Sequence, residues 1–442
     1  MRPELNLKGL KPYPEYKPSG HEWLGPLPAH WRQLRAKFLF REVDNRSQTG
    51  KEELLSVSHL TGVTPRSQKT ITMFLAKSNV GHKICRPGDV VINTMWAWMG
   101  ALGVARQTGI VSPAYGVYRP LTAGEMLPRY VDNLLRTPSY ASEYLRRSTG
   151  VNSSRLRLYP EHFLRIPIVI PPPDEQAAIV RFVEHANGRI ERYLRSKRKE
   201  LALVSEMLLN VTQRTLQSSG SRTLRLSTAA EVISRPIERR AVQSYTPIGL
   251  YNRGRGIFHK TSRDGAELGD SDFFWIKDAD VVISGQFAWE GAVALARESD
   301  SGCVASHRYP ILRGRQEYAT SAMLVALLRT PYGGMLLDLH SRGAAGRNRP
   351  LNTRTLLKEK VPMPPLPTQT QIAELLNQEH LVARALAQAI RLANEYRTRL
   401  VADFVTGKLD VRPATLQLPA ESIEPESAPD TEEFAEAEEA AT

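Results

Sequence analysis

The 442-residue chain is poor in cysteine, in long apolar runs and in aromatic side chains. Its two cysteines, Cys85 and Cys303, have no CxxC spacing and sit at different places in the pattern described below. That argues against a disulfide framework or a thiolate metal site and leaves two plain buried thiols. No run of 18 apolar residues occurs, and the opening Met1-Arg2-Pro3-Glu4 lacks an apolar signal core. A membrane span is therefore not expected, and the expected location is the cytoplasm. Aromatics make up 7% of the chain and rarely interleave with basic residues, which disfavours single-stranded RNA as a ligand.

Catalytic signatures are missing too. No Asn/Asp-Pro-Pro-aromatic loop is present to hold a flipped base, and the proline clusters run into Asp174 or Leu366 instead. No glycine-rich loop follows a strand, and Gly407-Lys408 lacks the flanking residues of a phosphate loop. The ten histidines show no HxxxH or HExxH spacing. Asp44 with Glu52, or Glu359 with Lys360, could be arranged as a metal-dependent nuclease set, but residues this common match such patterns by chance. The chain reads as a binding protein and not an enzyme; a single-chain nuclease or modification enzyme that also reads DNA is the alternative.

What is abundant is positive charge and repetition. Lys and Arg number 59 against 46 Asp and Glu. The last 22 residues, 421 to 442, hold nine acidic side chains and no basic one, so removing them raises the net charge of the remainder from +13 to +22. A body this basic points to a polyanion, DNA or RNA above all, with plain solubility as the alternative. The acidic tail, 413–442, reads as disordered.

The chain also repeats itself. Asp89-Val90-Val91-Ile92 with Trp98 and Gly100 returns as Asp280-Val281-Val282-Ile283 with Trp289 and Gly291, 191 residues later. Leu134-Leu135-Arg136-Thr137-Pro138 returns as Leu327-Leu328-Arg329-Thr330-Pro331, and Pro171-Pro172 with Gln176 and Ile179 as Pro364-Pro365 with Gln369 and Ile372, both at 193. A period this long is a whole domain plus its connector. Each copy has strand-like runs (53–57, 89–93 and 111–118, then 245–250, 280–284 and 309–312) followed by helical spacing (130–147, then 319–339). Trp98 and Trp289, each after a strand and before a glycine, read as core.

A proline stop and a long helix follow each copy. Ile179, Val183, Ala186, Ile190 and Tyr193, then Leu201, Val204, Leu208 and Val211, step at heptad spacing. So do Ile372, Leu376, Ala383, Leu386, Ile390, Ala393 and Leu400. A 3.5-residue period makes a narrow seam for one partner helix, and the other copy supplies it; the alternative is two amphipathic helices lying on their own domains. Asp174 and Thr368 are placed to cap these helices and Gly407 to end the second. The fold class is α+β: two tandem mixed α/β domains, 1–170 and 218–362, separated by two long antiparallel coiled-coil helices, 171–217 and 363–412.

Two pairs of loops are candidates for nucleic-acid contact. Just before each proline stop lie basic, polar segments with Arg146, Arg147, Asn152, Ser153 and Arg155 in the first copy and Arg342, Arg347, Asn348 and Arg349 in the second. After the first strand of each copy come Ser58, His59 and Thr61, and Tyr251, Asn252, Arg253 and Arg255. Arg and Asn can contact guanine and adenine edges in bidentate fashion, although phosphate contact or a solvated loop are alternatives at each.

Tyr13-Pro14, Lys17-Pro18-Ser19-Gly20, Trp23-Leu24-Gly25, Pro28 and Trp31 resemble the opening of the specificity subunits of type I restriction–modification systems. So do Gly88 to Asn93, Met95 to Gly100, Val111 to Tyr115, and the Pro-Pro-x-x-x-Gln-x-x-Ile helix entry of both copies. The second copy departs at Gln286-Phe287 and Ser306-His307. The resemblance implies two target-recognition domains, each reading one half of a bipartite, asymmetric site on double-stranded DNA, with the helices fixing the gap. It implies two modification (methyltransferase) subunits and restriction (endonuclease) subunits as partners. S-adenosylmethionine, ATP and Mg would bind those partners only, leaving no cofactor and no catalysis on this chain.

Overall fold

A computed structural model describes residues 10–68, 78–150, 156–343 and 349–419. The chain divides into two compact units. Among the described residues one takes those up to Leu194 together with those from Ala389 onward, and the other takes Arg195–Gln388. Each long helix thus gives part of its length to each unit.

In the first unit a four-stranded antiparallel sheet runs in the order Phe40–Glu42, Gly116–Pro120, Val90–Ile92, Leu102–Val104. The second unit has the same order in Ala230–Val232, Ile311–Gly314, Val281–Ile283, Val293–Leu295. A two-stranded ribbon accompanies each sheet: Arg32–Arg35 with Pro167–Ile170, and Arg222–Arg225 with Lys360–Met363. Short strands suffice because each central strand is apolar on both faces. Val90, Val91 and Ile92 are all buried, as are Val281, Val282 and Ile283.

The recurring aspartates explain themselves. Asp89 is buried and accepts two hydrogen bonds from Arg119, at 2.8 and 2.7 Å, and one from the Arg86 N–H. Asp280 accepts from Arg235 and Arg313 and from the Lys277 N–H. A buried carboxylate is tolerable only when its lone pairs are filled in this way.

The expected long strands and single helices are shorter pieces. Residues 111–118 split into Gly109–Val111 and Gly116–Pro120 around Pro113, and 245–250 split at Pro247. The helical stretches break at the Thr-Pro of the repeat into Pro128–Leu135 and Pro138–Arg147, and into Ser321–Arg329 and Pro331–Leu339, the latter pair bent by 83°. Proline has no N–H to continue a preceding helix but starts a new one well. Among the described residues no single helix is long and apolar enough to cross a membrane.

The long helices are Pro173–Leu216 and Leu366–Val405, of 44 and 40 residues, and they pair antiparallel. In the first unit Phe182 stacks edge-on against Phe404 at 4.8 Å and Glu191 pairs with Arg397, so one numbering rises as the other falls. Ile179, Val183, Ala186 and Ile190 are buried, as are Ile372, Leu376, Leu386 and Leu400. The seam is wider than a heptad stripe at its ends: Phe182 and Phe404 join the core of the first unit, and Leu375 that of the second. Towards the middle Leu201, Val204 and Ile390 are only half-buried. The ends therefore lie on their own domains, and only the middle is a narrow strip.

Helix entry works differently from the expected caps. The helices begin at Pro173 and Leu366, so Asp174 and Thr368 fall inside the first turn. The repeated glutamine fastens the entry instead. Gln176 Nε2 donates to Pro171 O (3.0 Å) and Glu125 O (3.2 Å) while its Oε1 accepts from the Leu127 N–H (2.7 Å). Gln369 does the same with Pro364 O, Tyr318 O and the Thr320 N–H. At the other end Gly407 takes the left-handed conformation expected of it, with φ +78°.

The first unit is closed by chain segments far apart in sequence. Glu175, in the first turn of the first long helix, has a side chain only 3% exposed. It accepts hydrogen bonds from Trp31 Nε1 (2.8 Å), the Tyr13 hydroxyl (3.2 Å) and Arg412 (3.1 Å), and it pairs with His30 (2.6 Å). Lys11 bridges Asp410, and the Tyr16 hydroxyl donates to Gly407 O and Lys408 O. Burial, then the Glu175 and Asp410 carboxylates, push the Tyr13 phenol far above its usual range.

Candidate nucleic-acid interface

In each unit the base of a basic loop is hydrogen-bonded beside a short 3₁₀ turn that follows the central strand, and a hairpin tip is held by contacts that differ between the units, Arg136 in the first and the 3₁₀ turn itself in the second. The first hairpin pairs Leu55–Ser58 with Gly62–Pro65, so Ser58, His59 and Thr61 lie at its tip. Ser58 Oγ accepts from the Leu60 N–H (3.1 Å), and Gly62 has φ +69° to close the turn. Arg136, at the end of helix Pro128–Leu135, donates to His59 O (2.8 Å) and Leu60 O (2.7 Å). The tip therefore presents side chains while its carbonyls are held from beneath.

The 3₁₀ turn is Ala97–Met99, with Gly100 at φ +82°. It projects Met95 and Trp96, 37% and 47% exposed. Trp98 is half-buried, with Nε1 donating to Met95 O, so it sits at the rim and not in the core. The basic loop is closed by the Thr149–Arg157 bridge, and the Leu158 N–H donates to Thr94 O (2.9 Å), which places the loop base beside Met95 and Trp96. Arg157 Nη2 lies 3.9 Å from Met95 Sδ.

Two of the expected arginines are already engaged. Arg146 and Arg147 both donate to Glu143, three and four residues earlier on their helix, at 2.5 to 2.8 Å. Arg147 is mostly buried by this, whereas the Arg146 side chain stays 66% exposed. Burial raises the Glu143 pKa, but the hydrogen bonds and charges of the two arginines outweigh it and hold the carboxyl below the usual range.

In the second unit the hairpin pairs Ile248–Leu250 with Ile257–His259, and Tyr251, Asn252, Arg253 and Arg255 lie at its tip. Arg253 has φ +58° and Gly254 +65°. The Arg253 and Gly254 N–H groups donate to Glu290 O and Gly291 O at 2.9 and 2.8 Å, and Asn252 Nδ2 donates to the Glu290 carboxylate. Arg255 lies over the Tyr251 ring at 5.4 Å. The adjoining 3₁₀ turn, Ala288–Glu290, projects Phe287 at 37% exposure. Trp289 is again half-buried at the rim, covered by the Arg349 guanidinium at 4.9 Å.

The second basic loop is closed by the Ser341–Leu351 bridge, and the Leu351 N–H donates to Gly285 O (2.8 Å), matching the first unit. Arg349 is also paired with Asp338 at 2.6 Å, whereas Arg342 is exposed and donates to Leu339 O. Asn152, Ser153, Arg155, Arg347 and Asn348 lie outside the described residues. Sequence reasoning missed Arg157, Met95, Trp96 and Phe287. The change from Met95-Trp96 to Gln286-Phe287 between otherwise matching segments was the available signal.

Among the described residues no three His, Cys, Asp or Glu side chains gather as a metal-ligand set. What each constellation offers is a backbone-braced tip, an exposed aromatic or thioether surface and guanidinium groups. These suit the edges of bases and the phosphates beside them.

No protein-family model matches the chain, and no curated protein does. Solved structures do match. A chain from a structure of complex assembly and conformational transition in the type I R-M system aligns over 86% of this chain and 98% of its own, with a TM-score of 0.52 at 16% identity. The chain has the fold of a type I restriction–modification component. The HsdS subunit from Thermoanaerobacter tengcongensis aligns over 86% and 98% with a TM-score of 0.43 at 16% identity. The type I restriction–modification S subunit from M. genitalium aligns over 86% and 96%, with 0.42 at 12%. The alignment with a TM-score of 0.52 matches, at the level of the fold, the likeness read from the sequence motifs.

Proposed function

We propose that this chain is the noncatalytic DNA-specificity subunit of a type I restriction–modification complex. Its domains, 1–170 and 218–362, each read one half of a bipartite, asymmetric site on duplex DNA, and the helices 171–217 and 363–412 set the gap between the halves. It docks two modification subunits, which bring S-adenosylmethionine and adenine methyl transfer, and restriction subunits, which bring ATP, Mg and cleavage. The complex works in the cytoplasm.

The observation that carries this reading is one scaffold with unlike tips. Both units place a hairpin tip, a 3₁₀ turn and an arginine loop in the same order along the chain. The tip residues nevertheless differ: His59-Leu60-Thr61 in one, Asn252-Arg253-Gly254-Arg255 in the other. A shared arrangement of elements with divergent contact residues is what reading two different half-sites requires.

Exchanging residues 20–160 for the matching region of another such protein, within its assembled complex, tests it. Mapping methylated adenines in the host genome then shows one half of the modified motif changed and the other kept. A change in both halves refutes one-domain, one-half reading. Cleavage or methyl transfer by the isolated chain refutes the noncatalytic assignment.

A further inference from the structure

The repeated Leu-Leu-Arg-Thr-Pro places Arg136 and Arg329 at equivalent positions, yet the two guanidinium groups hold different things. Arg136 grips the first hairpin tip through its carbonyls. Arg329 instead donates two hydrogen bonds to Glu379 on the second long helix, at 2.6 and 2.7 Å. The side chains of this pair are only 19% and 10% exposed. The repeat offset explains the difference. The position matching Glu379 in the first long helix is Ala186, which is buried and has no acceptor to offer.

Glu379 touches more than Arg329. Ser205 Oγ, on the first long helix, donates to it at 2.5 Å, so this one carboxylate joins both helices of the pair. Arg297, from the loop after strand Val293–Leu295, donates to Leu376 O and Asn377 Oδ1 one turn away. The far side of Arg329 carries the second hairpin tip. A Cβ added to Gly254 would stand 2.5 Å from Arg329 Nε and 2.9 Å from its Cδ, so the tip rests directly on this side chain.

Resting on the functional reading above, we infer that Glu379 is a positioning residue for base reading by the second domain. It acts through Arg329, whose guanidinium is pinned between the paired helices and the Asn252–Arg255 tip. Base reading by the second domain is therefore tied to the helix pair. The first domain sets its tip from within, through Arg136. A planar, bidentate guanidinium fixes position in a way a single ammonium cannot, so the side chain's geometry matters as well as its charge.

The test uses the full chain in its assembled complex and a library of random-sequence duplex DNA, scoring enrichment separately at the two halves of the selected motif. Glu379→Gln and Arg329→Lys each lower base preference at the second half by roughly tenfold, the discrimination of about one good base contact, and leave the first half unchanged. Arg136→Lys does the reverse. Arg329→Lys keeps the charge, so it reads the effect even if Glu379→Gln folds poorly. An equal fall at both halves, or an unchanged second half in Arg329→Lys, overturns the inference while the bipartite reading stands. A wild-type complex that selects no two-part motif overturns the functional reading and this inference with it.

Discussion

Replacing Glu175 by alanine tests the account of how the first unit is closed. The carboxylate is the hydrogen-bond acceptor for the buried Trp31 indole and for the Tyr13 hydroxyl, and it faces Arg412 and His30. Truncation strands the first two donors, both of which belong to buried residues. Each costs about 1–3 kcal/mol, giving roughly 2–6 kcal/mol in total. The Arg412 contribution adds little, because its side chain is 43% exposed and screened by solvent. A domain holds only about 5–15 kcal/mol, so the loss takes a large part of the unit's stability. Hydrogen exchange resolved by mass spectrometry measures the opening free energy of each unit separately. The amides of Trp31, Ile166 and residues 168–170 open more readily by the stated amount, while those of residues 281–283 and 323–328 do not change. A shift below about 1 kcal/mol at Trp31, or an equal shift in both units, would refute the reasoning. Glu175→Gln keeps an acceptor for Trp31 and sits between the wild type and alanine.

Four further outcomes follow from the geometry. Gly407→Ala forces an L residue into φ +78° and drives its Cβ to 2.5 Å from Pro28 Cδ, costing about 1–2 kcal/mol for the backbone alone and lowering the melting temperature. The Glu143 and Glu379 carboxyls are both held below their ordinary value of 4.5, so each adds stability that is complete above that value and lost as the pH falls through and below it; Glu143→Gln flattens this acid limb in a pH series of urea midpoints. Arg157→Ala weakens DNA binding by about 1–3 kcal/mol if the side chain meets a base, with relaxed preference at the first half, whereas a uniform loss with a shallower salt slope assigns it to a phosphate. Lengthening both long helices by whole turns at their middle changes the gap in the modified motif and leaves its half-sites intact; altered half-sites would count against a spacer role.

The parts of this fold that obey a period were legible in the residues. The 3.5-residue spacing of Ile179, Val183, Ala186 and Ile190 marks positions that are buried, and the 191–193 offset foretells two sheets of one strand order. What was not legible depends on partners distant in the chain. Asp174 has the chemistry of a cap, but Pro173 already starts the helix and Gln176 fastens it from inside, through carbonyls at Pro171 and Glu125. Trp98 and Trp289 follow buried strands, yet the 3₁₀ turn swings both to the rim. Arg146 and Arg147 look like free cations until the buried Glu143 one turn earlier takes them up. The two hairpin tips could be located from the strands around them. That Arg136 supports one and Arg329 leans on Glu379 beneath the other could not be, because the identical Leu-Leu-Arg-Thr-Pro motif conceals whether the opposing helix offers Ala186 or Glu379.

The division of the chain also has a consequence for its birth on the ribosome. Among the described residues the second unit is one uninterrupted stretch, Arg195–Gln388, and has all these parts once that stretch has emerged. The first unit is synthesised earlier but stays incomplete until Leu400, Phe404, Val405 and Val411 arrive to fill its core. The half made first therefore finishes last. For most of translation the nascent chain carries an open apolar face along Ile179, Phe182 and Val183, and a release delayed or cut short before residue 400 leaves that face to chaperones or to aggregation.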